Sequence, residues 1–138
     1  MIVLDTNVVS ETMRVSPHAR VLAWLDDQAA ETLYLTSVTL AELLFGIEAL
    51  PAGRRKEAFA RAATGLIEYY QGRVLDFDTE AARRYAVLAA TARRIGYELP
   101  VPDGYIAAIA ATNGFAIATR DTGPFAACGL QVVDPWSE

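Results

Sequence analysis

Among its 138 residues the chain holds one cysteine, one histidine and one lysine. A lone cysteine, Cys128, excludes an internal disulfide and fits a reducing compartment. Its setting, "FAACGLQVV", is an apolar turn and a poor place for a nucleophile. His18 and Lys56 both fall in predicted helices, so nitrogen ligands and a histidine base are in short supply. No apolar run is long enough to span a membrane, because the opening "MIVL" stops at Asp5. A signal-peptide pattern is also missing, so the expected location is the cytoplasm. The glycine patterns of P-loop and dinucleotide folds are absent. A haloacid-dehalogenase-type phosphatase needs Asp-x-Asp-x-Thr after its first strand, whereas this chain reads Asp5-Thr6-Asn7-Val8-Val9. A receiver domain needs a lysine after a late strand and an acid pair after the first, and neither is present. The net charge of −5 has the wrong sign for a generic nucleic-acid binder. Basic residues do cluster at Arg54-Arg55-Lys56, Arg83-Arg84 and Arg93-Arg94, where they read as solvated helix faces or as phosphate contacts outside an acidic site.

Hydrophobic residues make up 53% of the sequence, which excludes disorder. The length suits a single domain over residues 1–138. Ile2-Val3-Leu4 is a continuous apolar run, the pattern of a strand buried on both faces of a parallel sheet. Further strands are expected at "TLYLTS", "GRVLDF", "FAIAT" and "LQVVD". Between them the spacing predicts helices at "SPHARVLAWLDDQ", begun by Ser16-Pro17, at "VTLAELLFGIEAL", from Gly53 to Gln71, at "DTEAARRYAVLAATARRIG" and at "PVPDGYIAAIAATNG". The third of these buries Phe59, Ala63, Leu66 and Tyr70. The fourth buries Ala81, Tyr85, Leu88, Ala92 and Ile95. No repeat, linker or low-complexity tract interrupts the pattern. Strands alternating with helices predict an α/β fold of three layers, α/β/α, around a central, mainly parallel sheet. Strand order is not readable from periodicity. In such sheets ligands bind beyond the carboxyl ends of the strands.

Four acids fall at those ends or at helix starts. Asp5 follows the first strand, and Glu42 is placed in the first turn of the helix after "TLYLT". Asp103 opens the helix "PVPDGYIAAIA", and Asp121 follows "FAIAT". Each has an ordinary structural explanation. Asp5 or Asn7 caps a helix, Thr39-x-x-Glu42 has capping-box spacing, Asp103 beside Pro102 marks a helix start, and Asp121 in "RDTG" forms a turn. Four such coincidences on one edge point further. Converging carboxylates repel by roughly 4 kcal/mol per pair at about 4 Å and intermediate dielectric, so they call for protons or cations. An oxygen-only set suits Mg²⁺ or Mn²⁺ and not zinc. A cation there would lower the pKa of a bound water and stabilise charge on a phosphate.

In order and spacing these motifs resemble the PIN-domain ribonucleases, and within them the VapC/FitB toxins of type II toxin–antitoxin pairs. The likeness spans nearly the whole chain. It rests on "LDTNVVSE", "TSVTLAELLFGIEAL", "PDGYIAAIAATNGFAIATRD" and the closing "DPW", which resembles the family's "NPW". The resemblance implies a PIN-like fold and puts Asp5, Glu42, Asp103 and Asp121 in the places of the catalytic acids. By the same match Asp5, Asp103 and Asp121 are the metal ligands, while Asn7 and Thr119 are polar substrate-site positions. Many relatives read "TRNxxDF" where this chain has "TRDTGPF", so Pro124 replaces one acid and leaves the fourth ligand least certain. Further implications are Mg²⁺- or Mn²⁺-dependent cleavage of RNA, homodimerisation, and neutralisation by an antitoxin with a ribbon-helix-helix DNA-binding head. In such pairs the antitoxin tail lies along a groove of the toxin, and operator DNA is reached only through the antitoxin. The rival reading is a PIN-fold binding module that acts mainly in the repressor complex and cuts little. Trp24, Phe45, Tyr69, Tyr70 and Tyr105 are assigned to the core or to an interface, and His18 to a helix start.

Overall fold

The computed structural model describes residues 1–138. Its centre is strand β1 (Ile2–Leu4), flanked by β2 (Leu33–Thr36) and β4 (Ala116–Ala118), with β3 (Val74–Leu75) and β5 (Val132–Val133) at the edges. The order is β3-β2-β1-β4-β5, and every pairing is parallel. Seven helices complete the chain: α1 (Thr6–Thr12), α2 (Ala19–Asp26), α3 (Ser37–Glu48), α4 (Arg54–Tyr69), α5 (Thr79–Arg94), α6 (Val101–Asn113) and α7 (Thr122–Ala127).

Alternation along the strands explains the layering. Leu4, Leu33, Leu35 and Ala118 point to one core, which Val8 and Val9 of α1, Val21 of α2, Leu43 and Ile47 of α3 and Ala63 of α4 complete. Val3 and Ile117 point the other way, to a second core formed with Ile106, Ala107 and Ala110 of α6 and Phe125 of α7. Both faces of the sheet are therefore covered, the condition under which strands read as unbroken apolar runs. Each fully buried aliphatic or phenyl side chain contributes about 1.5–3 kcal/mol.

Several expectations are revised. The helix expected from Ser16-Pro17 begins at Ala19, with His18 as its N-cap; Nδ1 accepts from the Arg20 amide at 3.2 Å. Ile95, assigned to an inner face, is 68% exposed, because α5 ends at Arg94 and Gly96 turns the chain away at φ +80. Cys128 follows an unexpected short helix, α7, whose "TGPFAA" contains two residues that normally break helices. Burial of Phe125 against the second core holds it in place. Of the five aromatics assigned to core or interface, Tyr70 is buried and Tyr105 stacks between Phe77 and Tyr85. Phe45 and Tyr69 stand largely in solvent.

The connections decide where chemistry can occur. β1 passes directly into α1, β2 into α3, and β4 into α7 across three residues. All three junctions lie at the carboxyl edge of the sheet. α6 runs back to the start of β4 through Gly114, whose φ of +70 suits a residue without Cβ. Its N-terminus therefore lies at that same edge.

Candidate active site

These three junctions and the N-terminus of α6 enclose an open cleft of about 460 Å³ lined by Asp5, Glu42, Asp103 and Asp121. The structure thus brings together all four acids. Asp5, the N-cap of α1, is buried, yet both carboxylate oxygens are engaged. Oδ1 accepts from the Thr6 amide at 2.8 Å, and Oδ2 accepts from Thr119 Oγ1 at 2.7 Å. The capping role and the cleft position are therefore compatible. Burial raises the Asp5 pKa above the ordinary carboxylate value; the bonds from Thr119 and Thr6 act against that rise, and Glu42 and Asp121 add to it. Asp103, in the first turn of α6, makes no cap bond and is half-buried. Burial first, then the charges of Asp5, Asp121 and Glu42, push its pKa up to about 6. The rise at Asp5 and Asp103 follows from burial and from the other acids that line the same cleft.

Glu42 is not where its spacing placed it. Thr36 caps α3, accepting from the Thr39 amide at 3.0 Å, so Glu42 lies in the second turn and no capping box forms. Its Oε1 instead accepts from Thr6 Oγ1 at 2.7 Å, tying α3 to α1. Thr39 Oγ1 stands 3.2 Å from the same hydroxyl. Thr6 has one proton, and the carboxylate is the stronger acceptor. Asp121 is the N-cap of α7 but makes no side-chain cap bond, which leaves its exposed carboxylate facing the cleft.

Asn7 and Thr119 form the clasp between these junctions. Asn7 Nδ2 donates to Thr119 Oγ1 at 3.1 Å, and Asn7 Oδ1 accepts from the Arg120 amide at 3.3 Å. Thr119 Oγ1 also accepts from the Asp121 amide at 3.0 Å. Asn7 lines the cleft. Thr119 does not: it is fully buried and its hydroxyl is spent on three protein partners, so a direct substrate contact is replaced by a role in orienting Asp5.

Sequence reading missed five residues of the cleft wall: Thr6, Glu11, Arg14, Arg120 and Trp136. Buried Glu11 accepts from the His18 amide at 3.1 Å and pairs with Arg14 at 3.3 Å, joining α1 to the start of α2. Its signal was present, since Val8 and Glu11 share one helix face at i,i+3 spacing. A second groove of about 300 Å³ continues from the cleft past Thr6, Ser10 and Arg14, with apolar walls from Leu43, Ile47 and Phe59.

No three acidic, histidine or cysteine side chains form a ready-made metal cage. The donor set still fits a hard divalent cation. It is all oxygen, and Mg²⁺ keeps several waters while taking one or two carboxylates and substrate oxygens. A cation would also relieve the repulsion that raises Asp5 and Asp103. Cys128 is remote from this wall, and burial pushes its thiol pKa up, the reverse of an activated nucleophile.

The chain is similar to known proteins along nearly its whole length. The PIN domain family model matches residues 2–129. VapC ribonuclease Y4jK of Sinorhizobium fredii is 51% identical over 99% of this chain and 98% of its own length. Toxin FitB of Neisseria gonorrhoeae is 42% identical over the whole of both chains. The crystal structure of FitAcB from that organism superposes with a TM-score of 0.95 over 100% of each chain. DNA-bound VapBC from Salmonella typhimurium is 27% identical and superposes at 0.84 over 97% of each.

Proposed function

This chain belongs to the PIN domain family, and from that premise we propose that it is the ribonuclease toxin of a type II toxin–antitoxin pair. The observation that carries the reading is the convergence of Asp5, Glu42, Asp103 and Asp121 from four separate segments on one cleft. The substrate is RNA, cut by water under the control of Mg²⁺ or Mn²⁺. Asp5, Asp103 and Asp121 would hold the cation, with Glu42 completing the acid set. When bound, the cation lowers the pKa of a water and offsets the charge that builds on the phosphate.

The chain's own residues prepare this. Thr119 and the Thr6 amide fix the Asp5 oxygens and favour their charged form against burial. Asn7 locks the corner bearing Asp121 to the corner bearing Asp5. Burial and the neighbouring acids raise the Asp103 pKa to about 6, and a bound cation would favour its ionised form. The cleft residues include no cysteine, histidine or lysine.

Relatives named as a toxin and as a DNA-bound VapBC complex support a cognate antitoxin as partner, with operator DNA reached through it. The adjoining groove is the seat for the antitoxin tail. A cytoplasmic homodimer of the single domain, residues 1–138, completes the proposal. No helix is long and apolar enough to cross a membrane.

The test is cleavage of a structured RNA pool by antitoxin-free protein, with and without Mg²⁺ or Mn²⁺, beside Asp5→Asn purified by the same route. Metal-dependent cutting by the wild type alone is expected. Equal cutting by both, or none by either, overturns the nuclease reading.

A further inference from the structure

The geometry points to Arg120, stacked on Trp136, as the side chain that holds an RNA backbone phosphate at the mouth of the acidic cleft. This inference rests on the nuclease reading and names a contact that reading lacks. A phosphodiester approaching four carboxylates is repelled, and a cationic side chain on the wall would favour its approach beside any bound cation. Two cationic side chains line the cleft, Arg14 and Arg120.

They are not equivalent. Arg14 lies 3.3 Å from the buried carboxylate of Glu11, so its charge is already matched. Arg120 has no carboxylate partner; the chain's three ion pairs are Arg14–Glu11, Lys56–Glu48 and Arg83–Glu80. Its guanidinium carbon stands 5.3 Å from the centre of the Trp136 ring. Trp136 is half-buried against the first core and is the one hydrophobic residue of the cleft wall.

Stacking uses the face of a guanidinium and leaves the N–H fork at its edge for a planar, bidentate acceptor. Phosphate oxygens match that fork. The backbone beneath is held as well. The Arg120 amide donates to Asn7 Oδ1 at 3.3 Å, and the Trp136 amide donates to Asp134 Oδ1 at 3.0 Å. Arg120 thus emerges between Thr119, which touches Asp5, and Asp121. It is the substrate contact, and Trp136 is a positioning residue.

The experiment is fluorescence anisotropy of a labelled single-stranded RNA decamer in EDTA, where hydrolysis is stopped, across a series of salt concentrations. Arg120→Ala is expected to raise Kd about tenfold, the loss of a charge-assisted bond. The slope of log affinity against log salt should fall by about 0.7. Arg120→Lys should keep the slope but not the affinity. Trp136→Leu should weaken binding with the slope intact, and Trp136→Phe should bind nearly as the wild type does. An Arg120→Ala protein that melts like the wild type with unchanged Kd and slope overturns the inference, as does a wild type that binds no RNA at low salt. Binding is read without turnover, so a protein that binds through Arg120 but never cuts refutes the nuclease reading alone.

Discussion

Thr119 Oγ1 donates a 2.7 Å hydrogen bond to Asp5 Oδ2 across 114 positions of sequence. The bond closes the carboxyl edge of the sheet, because β1 and β4 are neighbours and each delivers its next polar residue to the same point. Thr119→Val keeps the shape and removes the donor. It also strips the Asn7 amide and the Asp121 amide of their acceptor. A loss of about 1–3 kcal/mol is expected, read by denaturant unfolding. Asp5 loses one of the bonds that lower its pKa, so the acid limb of the pH–activity profile should move to higher pH. Thr119→Ser should restore both.

Asp103→Asn should abolish RNA cleavage while leaving the metal-free protein more stable at neutral pH. The folded-state pKa of Asp103, about 6, lies above its ordinary value of 3.8. A raised carboxylate pKa means that stability is fully present below the unfolded value and is lost as pH rises through the folded one. Melting temperatures in EDTA should therefore be equal for wild type and variant near pH 4. They should diverge between pH 4 and 7, with the variant higher. A large drop for the variant at every pH would identify Asp103 as a structural cap.

Divalent cations should raise the melting temperature of the wild type. At a concentration one hundred times Kd the gain is about 2.7 kcal/mol if only the folded state binds. The gain should be greatest above pH 6, where Asp103 ionises without competition from protons. Asp5→Asn should lose most of it.

Cys128→Ser should leave cleavage and its metal dependence unchanged. The thiol ends α7 outside the cleft wall, and burial disfavours its thiolate. Alkylation of the wild type with iodoacetamide, followed by the same assay, gives an independent reading. Loss of activity with an intact fold would require a mechanism other than water attack.

Gly104→Ala should destabilise the protein by about 1–3 kcal/mol through overpacking. A Cβ there falls 2.7 Å from Tyr85 Cε1 and 3.1 Å from Leu99 Cδ2, inside the aromatic cluster of Phe77, Tyr105 and Tyr85. Because Gly104 adjoins Asp103, RNA cleavage should fall with stability. Thermal melting separates the two effects when compared with Ile106→Ala, a core truncation two residues further along α6.

The sequence carried most of the layering because apolar runs and helical spacing are local signals. It also carried the convergence of the acids, since strand ends of a parallel sheet share an edge whatever their order. The strand order itself depends on pairings such as Ile2 with Leu33 and Ala116, which no local pattern encodes. Glu42 was misplaced by one turn because Thr36 and Thr39 are equally good caps, and only the end of β2 selects Thr36. α7 was hidden by its glycine and proline, whose propensities are overridden by burial of Phe125. Arg120 and Trp136 escaped because their meaning lies in contact with each other, sixteen positions apart.

β1 precedes both of its neighbours in the chain, and one of them, β4, begins only at Ala116. Until residues 116–119 have been made, β1 lacks its partner on that side and Asp5 lacks its hydroxyl. A chain that ends before those residues therefore carries Asp5, Glu42 and Asp103 but neither Asp121 nor an assembled centre. The assembled acid centre is thus a property of a chain that extends through Asp121.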